Sequence, residues 1–160
     1  MSGSVLLRVP AALAYRELAC RTVTAVCKLS QGGTDAARVS ATRRFANELM
    51  SAVGEAFNNI VIHAYADTEP GTVEIELAWS PEQVVVEVRD TGASFDFDAV
   101  PLPDLECPQE KGMGVFIIRS FVDDAKYRAG SPNVLVLTKR SVIAGPKTTR
   151  RGGHHRLASG

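Results

Sequence analysis

The sequence predicts an α+β fold, a two-layer sandwich with helices on one face of a mixed, mostly antiparallel sheet. Apolar residues recur at helical spacing through two segments before residue 65. Two strands with period-two alternation follow, and a helix and two further strands come last. Helices and strands that are grouped in this way are typical of a sheet covered on one face. The 160 residues fit one domain.

The first predicted elements are a strand and a helix. Residues 5–9 form a short apolar run that ends at Pro10, which predicts a strand. From residue 11 to residue 29 apolar residues recur at helical spacing, with charged residues between them. The apolar positions that define this helix are Leu18, Val23, Val26 and Leu29.

A second helix is predicted after the Gly-rich break at residues 30–34. Asp35 can cap its first turn, and the amphipathic pattern continues to about Ala64. Because some thirty residues are long for a globular helix, a break near Ser40 is an alternative. The predicted buried stripe consists of Phe45, Leu49, Val53, Ala56, Ile60 and Ala64.

The later predicted elements are two strands, a loop, a helix and two closing strands, at residues 72–79, 83–90, 91–112, 113–122, 125–128 and 133–140. The first two strands alternate apolar and polar residues cleanly, which indicates one covered sheet face and one solvated face. A structureless loop of this length within a compact domain is usually functional.

Charge distribution limits the possible function classes. The chain carries 18 Lys and Arg and 18 Asp and Glu, and residues 144–160 hold four of the basic residues but none of the acidic ones. Residues 1–143 therefore carry a formal charge of −4, which argues against a primary role in binding nucleic acid. We predict a folded domain over residues 1–143 and a disordered basic tail over residues 144–160.

Composition also indicates the compartment. No stretch approaches the ~20 apolar residues of a membrane span, and the first residues lack the pattern of a signal peptide. Cys20, Cys27 and Cys107 fit no disulfide or metal framework, so we predict free thiols in a reducing compartment. We expect a cytoplasmic protein without membrane association.

Asp90 is the first candidate for chemistry. Period two places it on the same face as Val86 and Val88, the face turned toward the helices. A carboxylate in an apolar layer is costly unless a group donates to it, and that group is either a structural neighbour or a ligand. Gly92 permits a sharp turn and the close approach of a flat ligand. An adenine base, whose exocyclic amine is a donor, is the kind of partner that Asp90 can hold.

The second predicted helix carries Glu55, Asn59 and His63 at i, i+4 and i+8, so the three side chains share a face. This face is either the solvated edge of an amphipathic helix or part of a site. In a site, Asn59 can supply an oxygen ligand to Mg²⁺, and Glu55 can act as a general base. Asn58 points about 100° away, and His63 is interpreted as a structural residue at the helix end.

Two glycines precede the last predicted helix, in the sequence Lys111-Gly112-Met113-Gly114. Backbone N–H groups at such a helix start can converge on an anion, and Lys111 can add a positive charge. The alternative is a flexible hinge before a helix. Because the Walker A motif and the ordinary protein-kinase signatures are absent from the sequence, an ATP site here must have another design.

The residues discussed above belong to three segments, which are, in order, VGEAFNNIVIHAY, VRDTGASFD and KGMGVFIIRSFVDD. These segments resemble the N, G1 and G2 boxes of the GHKL ATPases. Within that group the chain most resembles the anti-sigma-factor serine/threonine kinases of bacterial partner-switching systems, over about residues 5–140. The resemblance implies the Bergerat fold, also called the histidine-kinase-like ATPase fold, and an ATP- and Mg²⁺-dependent kinase.

The resemblance also implies a role for each motif residue. Glu55 would be the catalytic residue that activates the attacking serine hydroxyl, Asn59 would coordinate Mg²⁺, and Asp90 would bind adenine. The other implied cofactor-binding residues are Gly92, Lys111, Gly112, Met113, Gly114 and Thr138. The chain departs from the wider group at Ser94, where the DxGxG pattern has a second glycine, and this predicts a less mobile loop.

The partners that the resemblance implies are a second copy of the chain, a sigma factor, and a STAS-domain antagonist that is phosphorylated on serine and released. Two alternatives remain, a non-catalytic nucleotide-binding adaptor and a stand-alone histidine-kinase-type ATPase domain. Glu55 beside Asn59 argues against the adaptor, because a scaffold needs no base. The lack of a preceding helical hairpin with an acceptor histidine argues against the histidine kinase.

Overall fold

In a computed structural model of the protein, residues 1–66, 68–100 and 112–141 are described. The strands are β1 Gly3–Pro10, β2 Thr72–Trp79, β3 Gln83–Asp90, β4 Asp124–Arg128 and β5 Asn133–Arg140. The α-helices are α1 Arg16–Gln31, α2 Ala36–Asn59 and α3 Met113–Phe121. A 3₁₀ turn, Leu13–Tyr15, precedes α1, and a π-helical segment, Ile60–Ala64, continues α2.

The five strands form one sheet in the order β1-β2-β3-β5-β4. All four pairings are antiparallel, so the α+β class is confirmed but the expected mixed sheet is not found among the described strands. The reason lies in the order of the strands. β4 runs in the same direction as β3, but β5 lies between them and pairs antiparallel with both.

One face of the sheet forms the core with the helices. Alternate residues of β2, β3 and β5 are buried, and burying each such side chain stabilises the fold by roughly 1.5–3 kcal/mol. The buried residues of these three strands include Val73, Ile75, Leu77, Val84, Val86, Val88, Leu135 and Leu137. The period-two prediction for β2 and β3 is therefore confirmed.

Helix α2 forms much of the other layer and follows the sequence prediction closely. The Asp35 side chain accepts a hydrogen bond from the Arg38 N–H at 2.9 Å, as expected for an N-cap. All six residues of the predicted buried stripe are buried. No break occurs near Ser40, and the winding changes only at Ile60, where the π-helical segment begins.

Helix α1 faces the core with only two of the four residues that define its apolar pattern. Val23 and Val26 are buried, but Leu18 is 48% exposed and Leu29 is 70% exposed. Small residues take the inward positions instead, and the Cys20 thiol lies 3.9 Å from the Met50 carbonyl oxygen of α2. The reason is that small side chains allow the two helices to approach closely.

The two cysteines in the described ranges are free, as predicted. Both are buried, and burial raises the pKa of the Cys27 thiol to about 12. The predictions for Lys111, Cys107 and the tail 144–160 concern residues outside the described ranges. No helix within those ranges is long and apolar enough to cross a membrane.

Candidate active site

A cavity of about 750 Å³ lies between the helices and the end of the sheet at which β3 stops. Its walls come from the end of α2 and the π-helical segment, the residues after β3, the start of α3, and strands β4 and β5. All three sequence motifs contribute to it. The motif residues that line it include Glu55, Asn59, Asp90, Gly112, Met113 and Gly114.

Glu55 and Asn59 face the first turn of α3 across a very short gap. A Cβ atom added to Gly114 would lie 3.1 Å from Glu55 Oε2 and 3.2 Å from Asn59 Oδ1. The absence of a side chain at Gly114 therefore allows a carboxylate and an amide oxygen to meet the helix start. Neither side chain forms a hydrogen bond or an ion pair within the described residues, so both are available to a ligand.

Two further polar residues of α2 and its extension line the same cavity. His63 lies at an exposed position and shares the cavity with Glu55 and Asn59, as its spacing predicts. Asn58 also lines the cavity, although helical geometry places it about 100° from Asn59. The cavity therefore extends around more than one side of the helix end.

Asp90 is 6% exposed and is held by one of its two carboxylate oxygens. Its Oδ1 atom accepts hydrogen bonds from the Gly92 N–H at 2.8 Å and from Asn133 Nδ2 at 3.1 Å. No described residue donates to Oδ2. Because a buried carboxylate is costly without donors, the free oxygen is suited to accept a hydrogen bond from a ligand.

Asn133 is a site residue that the sequence analysis missed. It is 1% exposed, pairs with Asp90 across β3 and β5, and also donates to the Gly92 carbonyl oxygen at 3.0 Å. The signal was present in the sequence, since Asn133 precedes Leu135 and Leu137 with period two. Asp90 was identified by the same kind of observation, namely a polar residue at a position on the buried face of a strand.

Gly92 shapes the site without lining the cavity itself. The Ala93 N–H donates to the Ala64 carbonyl oxygen at 2.8 Å, and the Thr91 N–H donates to the Tyr65 hydroxyl at 3.0 Å. These bonds hold the chain after β3 against the π-helical segment. A Cβ atom on Gly92 would lie 2.5 Å from the Ala64 oxygen, so only glycine fits here.

Gly92→Ala is therefore expected to destabilise the protein by about 1–3 kcal/mol, because the clash is with rigid backbone. Gly54→Ala is the matched control, since its added Cβ would meet only the movable end of the Arg16 side chain, at 2.6 Å. Helix propensity also favours alanine there by roughly 1 kcal/mol. Urea unfolding of both variants measures the difference. Equal losses of stability would contradict this account of Gly92.

The start of α3 can bind an anion. Gly112 is the N-cap residue and adopts φ 88°, in the left-handed region that favours glycine. The first-turn residues Met113 and Gly114 line the cavity, so the positive end of the helix faces it. Backbone N–H groups at a helix start suit a phosphate.

Thr138 does not belong to this site. It is opposite Val85 in the sheet, whereas Asp90 is opposite Asn133, and five residues of strand span about 16 Å. Its neighbours Leu137 and Leu135 show that the inner face takes the odd-numbered residues, so Thr138 is on the outer face. The assignment of Thr138 to cofactor binding is wrong for these reasons of register and alternation.

Among the described residues, the cavity has no complete set of protein ligands for a metal. Within the described residues no group of three or more His, Cys, Asp and Glu side chains is close enough to hold an ion. The oxygens of Asn59 and Glu55 face one point, which fits an ion that takes most of its ligands from water and phosphate. Mg²⁺ binds in this way.

Comparison with known proteins places this geometry in a family. Residues 9–139, which include every motif residue that lines the cavity, match the family described as the histidine kinase-like ATPase domain. The serine-protein kinase RsbW of Bacillus velezensis is 30% identical over 122 residues, which cover 71% of this chain and 76% of the relative. RsbW of Listeria monocytogenes is 29% identical over 147 residues, covering 87% and 88%. The chain thus belongs to the histidine kinase-like ATPase family, and its similarity to serine-protein kinases confirms the resemblance that its three motifs predicted.

Proposed function

We propose that this protein is an ATP- and Mg²⁺-dependent serine protein kinase that acts as an anti-sigma factor. Three features of one cavity jointly carry the proposal. They are Asp90, whose Oδ2 has no donor among the described residues, the helix start at Gly112, and the neighbouring side chains of Glu55 and Asn59, which have no partner among the described residues. A nucleotide requires an acceptor for its base, a site for its phosphates and an oxygen ligand for its cation. The similarity to serine-protein kinases supports the same reaction.

In this proposal ATP lies along the cavity. Asp90 Oδ2 accepts a hydrogen bond from the adenine amine, and the N–H groups at the start of α3 bind the phosphates, with Lys111 as an additional cation. Asn59 would hold Mg²⁺ by its side-chain oxygen. When bound, the ion would neutralise charge on the phosphate oxygens.

Glu55 is the proposed general base. It removes the proton from a serine hydroxyl of the protein substrate as the serine oxygen forms a bond to the γ-phosphorus. The bond from the γ-phosphorus to the bridging oxygen breaks, and ADP leaves. Because Glu55 has no ion-pair partner among the described residues, its carboxylate is free to accept the proton.

The proposed partners are those that the resemblance to partner-switching kinases implies. They are a second copy of the chain, a sigma factor, and a STAS-domain antagonist that carries the acceptor serine. We also propose a cytoplasmic location, with residues 1–143 as the kinase domain and residues 144–160 as a basic tail.

The test is to incubate the purified chain with γ-labelled ATP and candidate STAS-domain proteins of the same genome, and to identify the labelled residue by mass spectrometry. The proposal expects acid-stable phosphoserine on the STAS-domain protein. Acid-labile phosphohistidine would instead support a histidine-kinase-type domain. ATP binding without any transfer would support a non-catalytic adaptor, and either result would overturn the kinase proposal.

A further inference from the structure

Three aromatic rings line the cavity close to Asp90, and the sequence analysis assigned a role to none of them. Phe95 and Phe97 follow β3, and Tyr127 is on β4. The ring centroids of Phe95 and Tyr127 are 5.0 Å apart, and those of Phe97 and Tyr127 are 6.1 Å apart. These three residues form a continuous surface that we call the aromatic wall.

The aromatic wall is held in place by α3. The Arg119 guanidinium lies over the Phe97 ring, 4.9 Å from its centroid, and donates to the Phe97 carbonyl oxygen at 3.0 Å. It also donates to the Asp98 carboxylate at 3.1 Å. Phe97 itself is only 2% exposed. Helix α3, whose N-terminus faces the cavity, therefore also holds the Phe97 end of the aromatic wall in place.

Tyr127 connects the wall to Asp90. Its ring contacts the rings of both Phe95 and Phe97. Burial raises the pKa of Tyr127 above its ordinary value, the nearby backbone of Phe95 opposes that rise, and the negative charge of Asp90 adds to it. Phe95 is thus held through its contact with the Tyr127 ring.

Phe95 nevertheless remains 41% exposed, although it lines the cavity. A large aromatic side chain that is held rigidly with much of its surface uncovered forgoes part of its hydrophobic stabilisation. The nearby lining is apolar too, with Val88, Val100 and Leu135, so Asp90 is the charged group at this part of the described cavity. A flat ring that carries an amine matches this combination.

We propose that Phe95 is a specificity-determining residue whose ring stacks on the nucleotide base that Asp90 holds, with Tyr127 as the residue that positions it. This inference rests on the proposed function, which supplies ATP as the ligand. Stacking favours a purine over a pyrimidine because the larger base covers more of the ring. Asp90 selects for an amine, and the two residues together select adenine.

The test compares calorimetric titrations of MgATP, MgCTP and inorganic tripolyphosphate with Mg²⁺ into the wild type, Phe95→Ala and Phe95→Leu. Phe95→Ala is expected to weaken ATP binding about five- to a hundredfold, the range measured for the loss of base–aromatic stacking. Tripolyphosphate, which has no base, should bind with unchanged affinity. Phe95→Leu keeps an apolar side chain without a π-face and should restore only part of the loss.

Tyr127→Leu separates positioning from stacking. It removes the ring that contacts Phe95 at 5.0 Å between centroids but leaves Phe95 itself, and is expected to weaken ATP binding about two- to tenfold. It should also reduce the ratio of ATP to CTP affinity, which a merely structural loss would leave unchanged. Leu29→Ala is the control, since Leu29 is 70% exposed on α1 and does not line the cavity.

Unchanged ATP affinity in Phe95→Ala, in a wild type that binds ATP, would overturn this inference alone. A parallel loss of ATP and tripolyphosphate binding would also overturn it, because the ring would then only support the fold. A wild type that binds no nucleotide would overturn the proposed function and this inference with it. Circular dichroism of each variant verifies that it is folded.

Discussion

Replacing Glu55 by glutamine is expected to lower the rate of phosphate transfer about 10²–10⁴-fold, the usual effect of removing a general base. ATP affinity should change little. The amide keeps the size of the carboxylate, and the gap to Gly114, where Oε2 lies 3.1 Å from an added Cβ, is preserved. Single-turnover phosphorylation of the protein substrate measures the rate, and calorimetry measures ATP binding.

The control for this prediction is Glu69→Gln, which removes the same charge from an exposed position that does not line the cavity. It should transfer phosphate at the wild-type rate. Full transfer activity in Glu55→Gln would remove Glu55 from the mechanism. A parallel loss of ATP binding and transfer would mean that Glu55 holds the nucleotide and does not act as the base.

Replacing Asp90 by asparagine is expected to weaken ATP binding about ten- to a hundredfold, the effect of losing a hydrogen bond to a charged group. The Gly92 N–H and the Asn133 amide both donate to Oδ1, so the new side chain must keep its oxygen at that position. Its NH₂ group then faces the adenine amine, and two donors meet. Calorimetric titration with MgATP measures the loss.

The orientation of the amide makes this prediction specific to the base. Inosine triphosphate carries a carbonyl group where adenine carries its amine, so its affinity should rise or stay constant in Asp90→Asn while that of ATP falls. Asp124→Asn is the control, because Asp124 pairs with the exposed Lys126 and does not line the cavity. Equal losses for ATP and inosine triphosphate would point to a misfolded site, and no loss for ATP would contradict the adenine role.

The parts of the fold that could be predicted are those with a single apolar stripe. In β2 and β3 the alternation leaves one possible inner face, and in α2 the six stripe residues leave one buried side. Asp35 marks the start of α2 because its side chain caps the helix locally. These features depend on neighbours in the sequence, so the sequence alone determines them.

Helix α1 could not be predicted in the same way, because it has apolar residues on two sides. Leu18 and Leu29 are larger than Ala19 and Cys20, but the smaller residues face the core, since close packing against α2 requires them. The distance between two helices is a tertiary property. Periodicity alone cannot show which of two apolar stripes faces the core.

The candidate site was predictable where the chemistry resides in a motif, and less so where it depends on strand register. Asn133 and Tyr127 reach the cavity through the pairing of β3, β5 and β4, which joins residues distant in the sequence. Thr138 shows the opposite error, because a resemblance suggested a position that the register excludes. The alternation in β5 places Asn133 on the buried face and Thr138 on the other face, so it would have identified Asn133 and excluded Thr138.

The central claim is that Asp90 and Asn59 jointly bind an adenine nucleotide loaded with Mg²⁺. Calorimetric titration of ATP into the purified full chain, with and without Mg²⁺, tests it most directly when the wild type is compared with Asn59→Ala. The account predicts saturable binding that Mg²⁺ strengthens in the wild type and leaves nearly unchanged in Asn59→Ala. Absence of saturable binding in the wild type with Mg²⁺ present would contradict it.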